Sequence, residues 1–249
     1  MKRISCIGAL LFALCLFPSV PLFAARPLST EDADTVEKGS LELELAFDYY
    51  RHDNQNKDYF PSAQLKYGPL NRMEIGASIG YIHRDLHLED RIDSWSDLIF
   101  YLKYQILQEG NYYPAFTLKP LVKFPTASWR KGMGSGKTDY ALGAIFSKSF
   151  HNLKLHFDTL YFFIGEEGKT DILSTGPALE YEFAKGWTAV GEVRYLDNFN
   201  TDRKDDPLFL NFGLKKEVGW AVLDAAVNVG LNNAAPDYGF SVGVTIPFK

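Results

Sequence analysis

Three groups of residues in this 249-residue chain have types and spacings that could do chemistry. The run Gly132-Met133-Gly134-Ser135-Gly136-Lys137-Thr138 ends like a phosphate-cradling loop. That loop needs a glycine five places before Gly136, and Lys131 stands there. Its flanks read as strands, so the glycines are expected to serve a tight turn. His83 and His87, with Asp85, Glu89 and Asp90 beside them, could ligate a divalent ion. Histidines four apart converge on a helix, and this stretch reads as a loop. A solvated charged loop is expected, with weak calcium bridging to lipopolysaccharide as the alternative. A barrel lipase would need a Ser and a His together on a lipid-facing rim. Of the five histidines, His52, His83 and His87 fall in long loops, His151 in a short turn, and His156 points inward. No outward serine reaches any of them in the expected register. No enzyme activity, cofactor site or metal site is therefore expected.

The elements that would position such residues are strands. Aromatics make up 15% of the chain, and alternation with a period of two recurs along it. In Leu41–Tyr49, Leu41, Leu43, Leu45, Phe47 and Tyr49 oppose Glu42, Glu44, Ala46 and Asp48. Successive strand side chains point to opposite faces, giving one greasy and one charged face. The same pattern runs through 97–106, 116–124, 153–163, 173–183, 208–215, 223–229 and 238–248, with weaker copies at 60–67, 72–84, 139–150 and 187–196. That predicts twelve strands.

The first 25 residues are not expected to join them. Lys2 and Arg3 precede an apolar run, Ile4 to Phe17, then Pro18, Pro21 and Ala24-Ala25. This is the layout of a cleaved secretory signal, too short for a spanning anchor. Both cysteines, Cys6 and Cys15, lie inside it, so no disulfide is expected beyond it. Taking Lys2 and Arg3 from the 26 basic residues leaves 24 against 31 acidic, a net charge of −7 that argues against a nucleic-acid partner.

The connectors alternate between long and short. RHDNQNKD, HRDLHLEDRIDS, TASWRKGMGSGKT, GEEGKTD and NFNTDRKDD are long; GPLN, QEGN, HN, AKG and VG are short. Antiparallel transmembrane barrels have this rhythm, with short turns on the periplasmic side. A β-sandwich or lipocalin-like barrel would bury its greasy face and wet its charged one. Small and charged residues on one face and aromatics near strand ends favour the membrane barrel. The fold expected is all-β: a single antiparallel transmembrane barrel of about twelve strands at 39–249, behind a signal peptide at 1–25 and a periplasmic segment at 26–38. Its expected partners are outer-membrane lipid, lipopolysaccharide, the barrel-assembly machinery and a small-molecule solute, in the outer membrane of a Gram-negative bacterium.

The lumen would then carry the chemistry. Inward acids are Glu42, Glu44, Asp48, Glu74, Asp97, Asp139, Asp158, Glu180, Glu182, Glu192 and Asp224; inward bases are Lys66, Lys103, Lys119, Lys123, Lys154, Arg194 and Lys215, with His156 among them. Rings of charge select solutes by their field. Lys103, Lys119 and Lys123 sit on neighbouring strands, and Glu180, Glu182 and Glu192 on another pair about a third of a turn away. The resulting transverse field suits polar or zwitterionic solutes and a passive channel. The alternatives are a barrel plugged by mutual neutralisation, acting as an adhesin or a structural protein. The acidic segment 26–38 is expected to be a frayed tail; the other reading folds it into the lumen, where Glu31, Asp32 and Asp34 meet inward lysines.

Two stretches carry a resemblance. Thr30-Glu31-Asp32-Ala33 with Lys38-Gly39 precedes the first strand; Pro125-Thr126, Gly132-Met133-Gly134 and Gly136-Lys137-Thr138-Asp139 lead into a later one. Both resemble the MetA-pathway of phenol degradation group of outer-membrane transporters. The resemblance implies a barrel with a transport role. The chain departs from many outer-membrane barrels in ending on Lys249, with Phe248 penultimate.

Overall fold

The computed structural model describes residues 26–52, 55–87, 91–199 and 206–248. The signal segment at 1–25, with Cys6 and Cys15, and the loop acids Glu89 and Asp90 lie outside the described residues.

Alternation becomes a closed sheet. The strands are β1 (Leu41–Arg51), β2 (Lys57–Leu70), β3 (Met73–Asp85), β4 (Ile92–Trp95), β5 (Leu98–Leu107), β6 (Ala115–Phe124), β7 (Asp139–Phe150), β8 (Leu153–Phe163), β9 (Ile172–Ala184), β10 (Trp187–Asp197), β11 (Leu208–Glu217), β12 (Val222–Gly230) and β13 (Tyr238–Phe248). Each pairs antiparallel with its neighbour in sequence, except that β4 and β5 both pair with β3 and form one broken stave. Pairing of β1 with β13, from Leu41↔Phe248 to Arg51↔Tyr238, closes a ring of twelve staves. The break at Ser96-Asp97 falls at the end of a stretch expected to be all loop. Ser96 keeps the ladder satisfied there: its N–H donates to the Gly80 carbonyl at 2.8 Å, and its Oγ accepts from the Gly80 N–H at 2.8 Å. Pro120 and Pro177 bring no N–H, and the pairing skips beside each, from Tyr101↔Leu121 to Tyr104↔Leu118 and from Glu192↔Ala178 to Tyr195↔Thr175.

Burial is inverted relative to a water-soluble protein. Leu45, Phe47, Phe100, Phe157 and Phe240 are exposed on the outside, while Glu44, Lys103, Lys119, Asp158 and Arg194 are buried within. Aromatic rings cluster outside towards the long-loop end: Tyr49 meets Tyr59, Tyr238 and Phe240 at centroid distances of 5.3–6.4 Å. A bilayer supplies the apolar surroundings that the outer face needs, with rings at its interface. No helix among the described residues is long and apolar enough to cross a membrane; the strands do the crossing.

The inner face is not uniformly polar. Ile99, Tyr101, Leu121, Ala141, Leu160, Phe162 and Ile172 form a buried cluster on the outer half of β5–β9. The wall of small and charged residues expected from the sequence is interrupted there by an apolar cluster. The difference arises because those strands alternate small or apolar residues with charge on their inward side, so parity alone overstates polarity.

The loop between β6 and β7 folds into the mouth. Ala127 and Met133 are buried against Ile82. Asp97 accepts the Ala127 N–H at 2.9 Å, and Asp139 accepts the Ser135 hydroxyl at 3.0 Å and the Gly165 N–H at 2.8 Å. Lys123 bridges the two acids at 2.8 and 2.6 Å. Gly132 and Gly136 take φ of 72° and 66°, so they do serve the turn.

Two outcomes follow from this topology. Phe157→Arg or Leu102→Arg, near mid-strand on the lipid face, should cost about 2–4 kcal/mol in refolding titrations. Thr245→Arg, inward and paired with Glu44, should cost less; equal costs at both faces would invert the barrel. The chain has no cysteine after Cys15, so single cysteines report sidedness cleanly. A cysteine at exposed Arg130 should react with an impermeant maleimide on intact cells, one at buried Ser135 slowly, and one at Lys185 not at all.

Candidate functional site: a lumen filled by the N-terminal segment

The frayed tail expected at 26–38 is not what the structure has. The segment enters at the short-turn end, where the Gly39 N–H donates to the Gly68 carbonyl at 2.7 Å, and runs inside the barrel. Leu28, Thr30, Glu31 and Ala33 are all at most 5% exposed. Its order comes from a polar main chain that would otherwise lose its partners inside the lumen.

The wall reads that main chain. The Val36 N–H donates to Glu74 at 2.9 Å, Ala33 to Ser147 Oγ at 2.8 Å and Glu31 to Asp158 at 2.9 Å. Ser29 and Thr30 both donate to Glu192, at 2.7 and 2.6 Å. Gln105 and Thr117 donate to the Ala33 carbonyl at 3.1 and 2.6 Å, and Asn211 donates to the Pro27 carbonyl at 2.9 Å. Small wall residues leave room: Ala33 sits against Ala115 and Ile145, and Leu28 against Ala178 and Val190.

Side chains add ion pairs. Glu31 lies 2.5 Å from Lys119 and 3.5 Å from Lys103; Asp32 lies 3.8 Å from Lys103; Asp34 pairs with Lys154. At the far end the Arg26 guanidinium reaches Asp224 at 3.1 Å. Burial alone would push the Glu31 carboxyl up, but the Lys119 and Lys103 ammonium groups outweigh it and hold it below its ordinary value.

The pore-lining residues named from sequence divide accordingly. Lys103, Lys119, Asp158, Glu192 and Asp224 hold the segment directly. Glu42 and Glu44 instead pair with Lys66 across β1–β2, Glu180 with Lys215 at 2.6 Å, and Lys123 sits at the mouth. Arg194, fully buried, braces Asp158 and donates to Ser174 Oγ at 2.8 Å. Glu182 is exposed at the short-turn rim, where it accepts the Gly186 N–H at 3.2 Å. His156 Nδ1 lies 2.8 Å from Ser147 Oγ, an inward serine–histidine contact in which Ser147 Oγ also accepts the Ala33 N–H. His83 pairs with Asp93 at 2.7 Å, and no group of potential metal ligands occurs among the described residues. Sequence reasoning missed Arg26, Ser147 and Asn211 as part of the site. A basic residue just after the apolar segment and inward Ser and Asn were the only traces.

The family model described as "Putative MetA-pathway of phenol degradation" matches residues 24–248. Among solved structures, an outer membrane channel from Pseudomonas putida F1 aligns over 87% of this chain and 98% of its own, at 11% identity and TM-score 0.66. The KdgM porin in complex with disordered oligogalacturonate aligns over 83% and 99%, at 10% identity and TM-score 0.59. The NanC porin aligns over 83% and 99%, at 13% identity and TM-score 0.57. These likenesses are of fold. No curated protein matches.

Acid should loosen the segment. A free Glu31 carboxyl takes up its proton near its ordinary value, and the docked one only further down. Docking is therefore at full strength above the ordinary value and fades as pH falls towards the docked one. Planar-bilayer conductance of the chain from Arg26 onward should hold level from about pH 7 to about 5 and rise as pH falls further, towards about 3. Glu31→Gln removes the carboxylate that Lys119 and Lys103 share and should weaken docking by roughly 3–5 kcal/mol, raising conductance already at pH 7. A flat pH response in the unaltered chain would count against Glu31 as a latch.

Proposed function

The chain belongs to the MetA-pathway of phenol degradation family, and from that premise we propose a passive outer-membrane channel that its own N-terminal segment closes. Channel and transport function is the common ground of the family and the porin-like folds. The observation that carries the closing role is the segment itself: residues 26–38 cross the lumen and hydrogen-bond to β3, β5–β8 and β10–β13.

With the segment withdrawn, Lys103, Lys119 and Lys154 are released on one arc and Glu192, Asp224 and Asp48 on another. A transverse field across a low-dielectric ring orients a dipolar or zwitterionic solute. The apolar cluster on β5–β9 flanks that path. A small polar or zwitterionic solute with a modest apolar part fits this path. Passage is by diffusion, in a Gram-negative outer membrane, after insertion by the barrel-assembly machinery, and involves no catalysis.

The filled lumen also favours a second reading, a permanently plugged barrel with a structural or adhesive role. Deleting residues 27–37 separates the two. In the channel reading, single-channel conductance of the deletion variant should rise several-fold over the unaltered chain, with cation preference in a salt gradient. Conductance absent from both at all voltages would leave the structural reading.

A further inference from the structure

The wall acids differ in where their cations come from. Glu42 and Glu44 have Lys66, Glu180 has Lys215, Asp97 and Asp139 share Lys123, and Asp158 has Arg194; each of these bases is part of the wall. Glu74 and Glu192 take neutral N–H and O–H donors instead. Asp48 and Asp224 are the pair whose cation comes from outside the wall. Their only ion pairs among the described residues are with Arg26, which arrives with the closing segment.

The site around that guanidinium is built. Arg26 Nη2 donates to Asp224 Oδ1 at 3.1 Å, and Nε approaches Oδ2 of the same carboxylate at 3.4 Å, a two-pronged grip. Nη2 also donates to Ser241 Oγ at 2.8 Å, and Nη1 lies 3.8 Å from Asp48 Oδ2. Ser241 in turn donates its proton to Asp48, which leaves its lone pairs turned to the guanidinium. The floor is Gly243: a β-carbon there would overlap the guanidinium. The three strands β12, β13 and β1 are adjacent, with Asp224 opposite Gly243 and Asp48 opposite Ser241. The Asp224 side chain is 2% exposed and that of Asp48 14%, so neither is a solvated surface acid.

We propose that this Asp48–Asp224–Ser241–Gly243 cradle is a binding subsite of the channel for a cationic N–H donor, a guanidinium or primary ammonium group on the passing solute, and that Arg26 is its built-in occupant. The physical reason is the vacancy that opening creates. When the segment leaves, two neighbouring carboxylates lose the one cation they share, and another cation in its place relieves their like-charge repulsion. A solute cation that donates N–H bonds fills it; a cation without N–H groups leaves Asp224 and Ser241 unbonded. Closing and loading are thus competing events at one site. This rests on the channel reading above.

The test uses methylguanidinium as probe and tetramethylammonium, which has equal charge and no N–H, as control. In planar bilayers, Arg26→Ala in the chain lacking residues 27–37 should be blocked by low-millimolar methylguanidinium, and at least tenfold less well by tetramethylammonium. The unaltered chain should respond weakly, because Arg26 holds the site. Adding Asp224→Asn or Asp48→Asn to Arg26→Ala should weaken the block tenfold or more, with folding of each variant checked by heat-modifiable gel mobility. Equal block by both cations, or block that survives both asparagine changes, overturns the subsite. Thermal stabilisation of detergent-solubilised Arg26→Ala by methylguanidinium gives a readout that needs no conductance. Stabilisation without conductance would sink the channel and keep the subsite; conductance without block or stabilisation would do the reverse.

Discussion

One constraint underlies the rest of the structure: inside a bilayer no main-chain N–H or C=O can go unpaired at the lipid face. The β1–β13 ladder, running from Leu41↔Phe248 to Arg51↔Tyr238, meets it by removing the last sheet edge. Closure then dictates burial. Every second residue is forced towards an axis shared with eleven other staves, so charges that would have been solvated become interior groups in need of partners. Ser96, standing in for a ladder group where the fourth stave breaks, reflects the same pressure at a single residue.

Interior charge is met in two ways. Neighbouring staves pair wall to wall, as Lys66 does with Glu42 and Glu44, or Lys215 with Glu180. Such pairs persist whatever the lumen contains. Elsewhere the wall is incomplete by itself: Glu192, Lys119, Lys154 and Asp224 find partners on the inserted segment. Breaking a buried pair is far more costly than leaving it alone. The wall-to-wall set therefore keeps the barrel's shape, and the wall-to-segment set makes the filled lumen cohesive; in the proposed channel, the same contacts are the ones that opening would exchange.

The fold was legible because period-two alternation is a local property. Leu41–Tyr49 shows its two faces within nine residues, and the loop rhythm gives sidedness. The closing segment was much less so. Glu31, Asp32 and Asp34 do meet inward lysines, but similar acids would also suit a solvated tail. What decides the matter is the main chain of Ser29, Thr30, Glu31, Ala33 and Val36, and N–H groups are the same in every non-proline residue. Main-chain recognition leaves almost no mark on residue identity. The loop carrying Ser135 is hard to place for a related reason: nothing in its polar, glycine-rich composition marks that Asp97 and Asp139 draw it into the mouth.

Attachment at Gly39, whose φ of 83° turns the chain from lumen to wall, has a kinetic meaning. Thirteen residues of free chain reach at most about 45 Å. An undocked segment therefore never leaves the neighbourhood of its own pore, and it competes for the lumen at an effective concentration in the millimolar range. In the proposed channel, opening and reclosure would be first-order events within one molecule, indifferent to how many copies the membrane holds. A solute that is scarce outside the cell cannot displace such a tethered rival by mass action alone; it must bind the vacated wall more tightly than the segment does, or arrive in abundance. In the proposed channel, the length of the leash would set the threshold at which conduction begins.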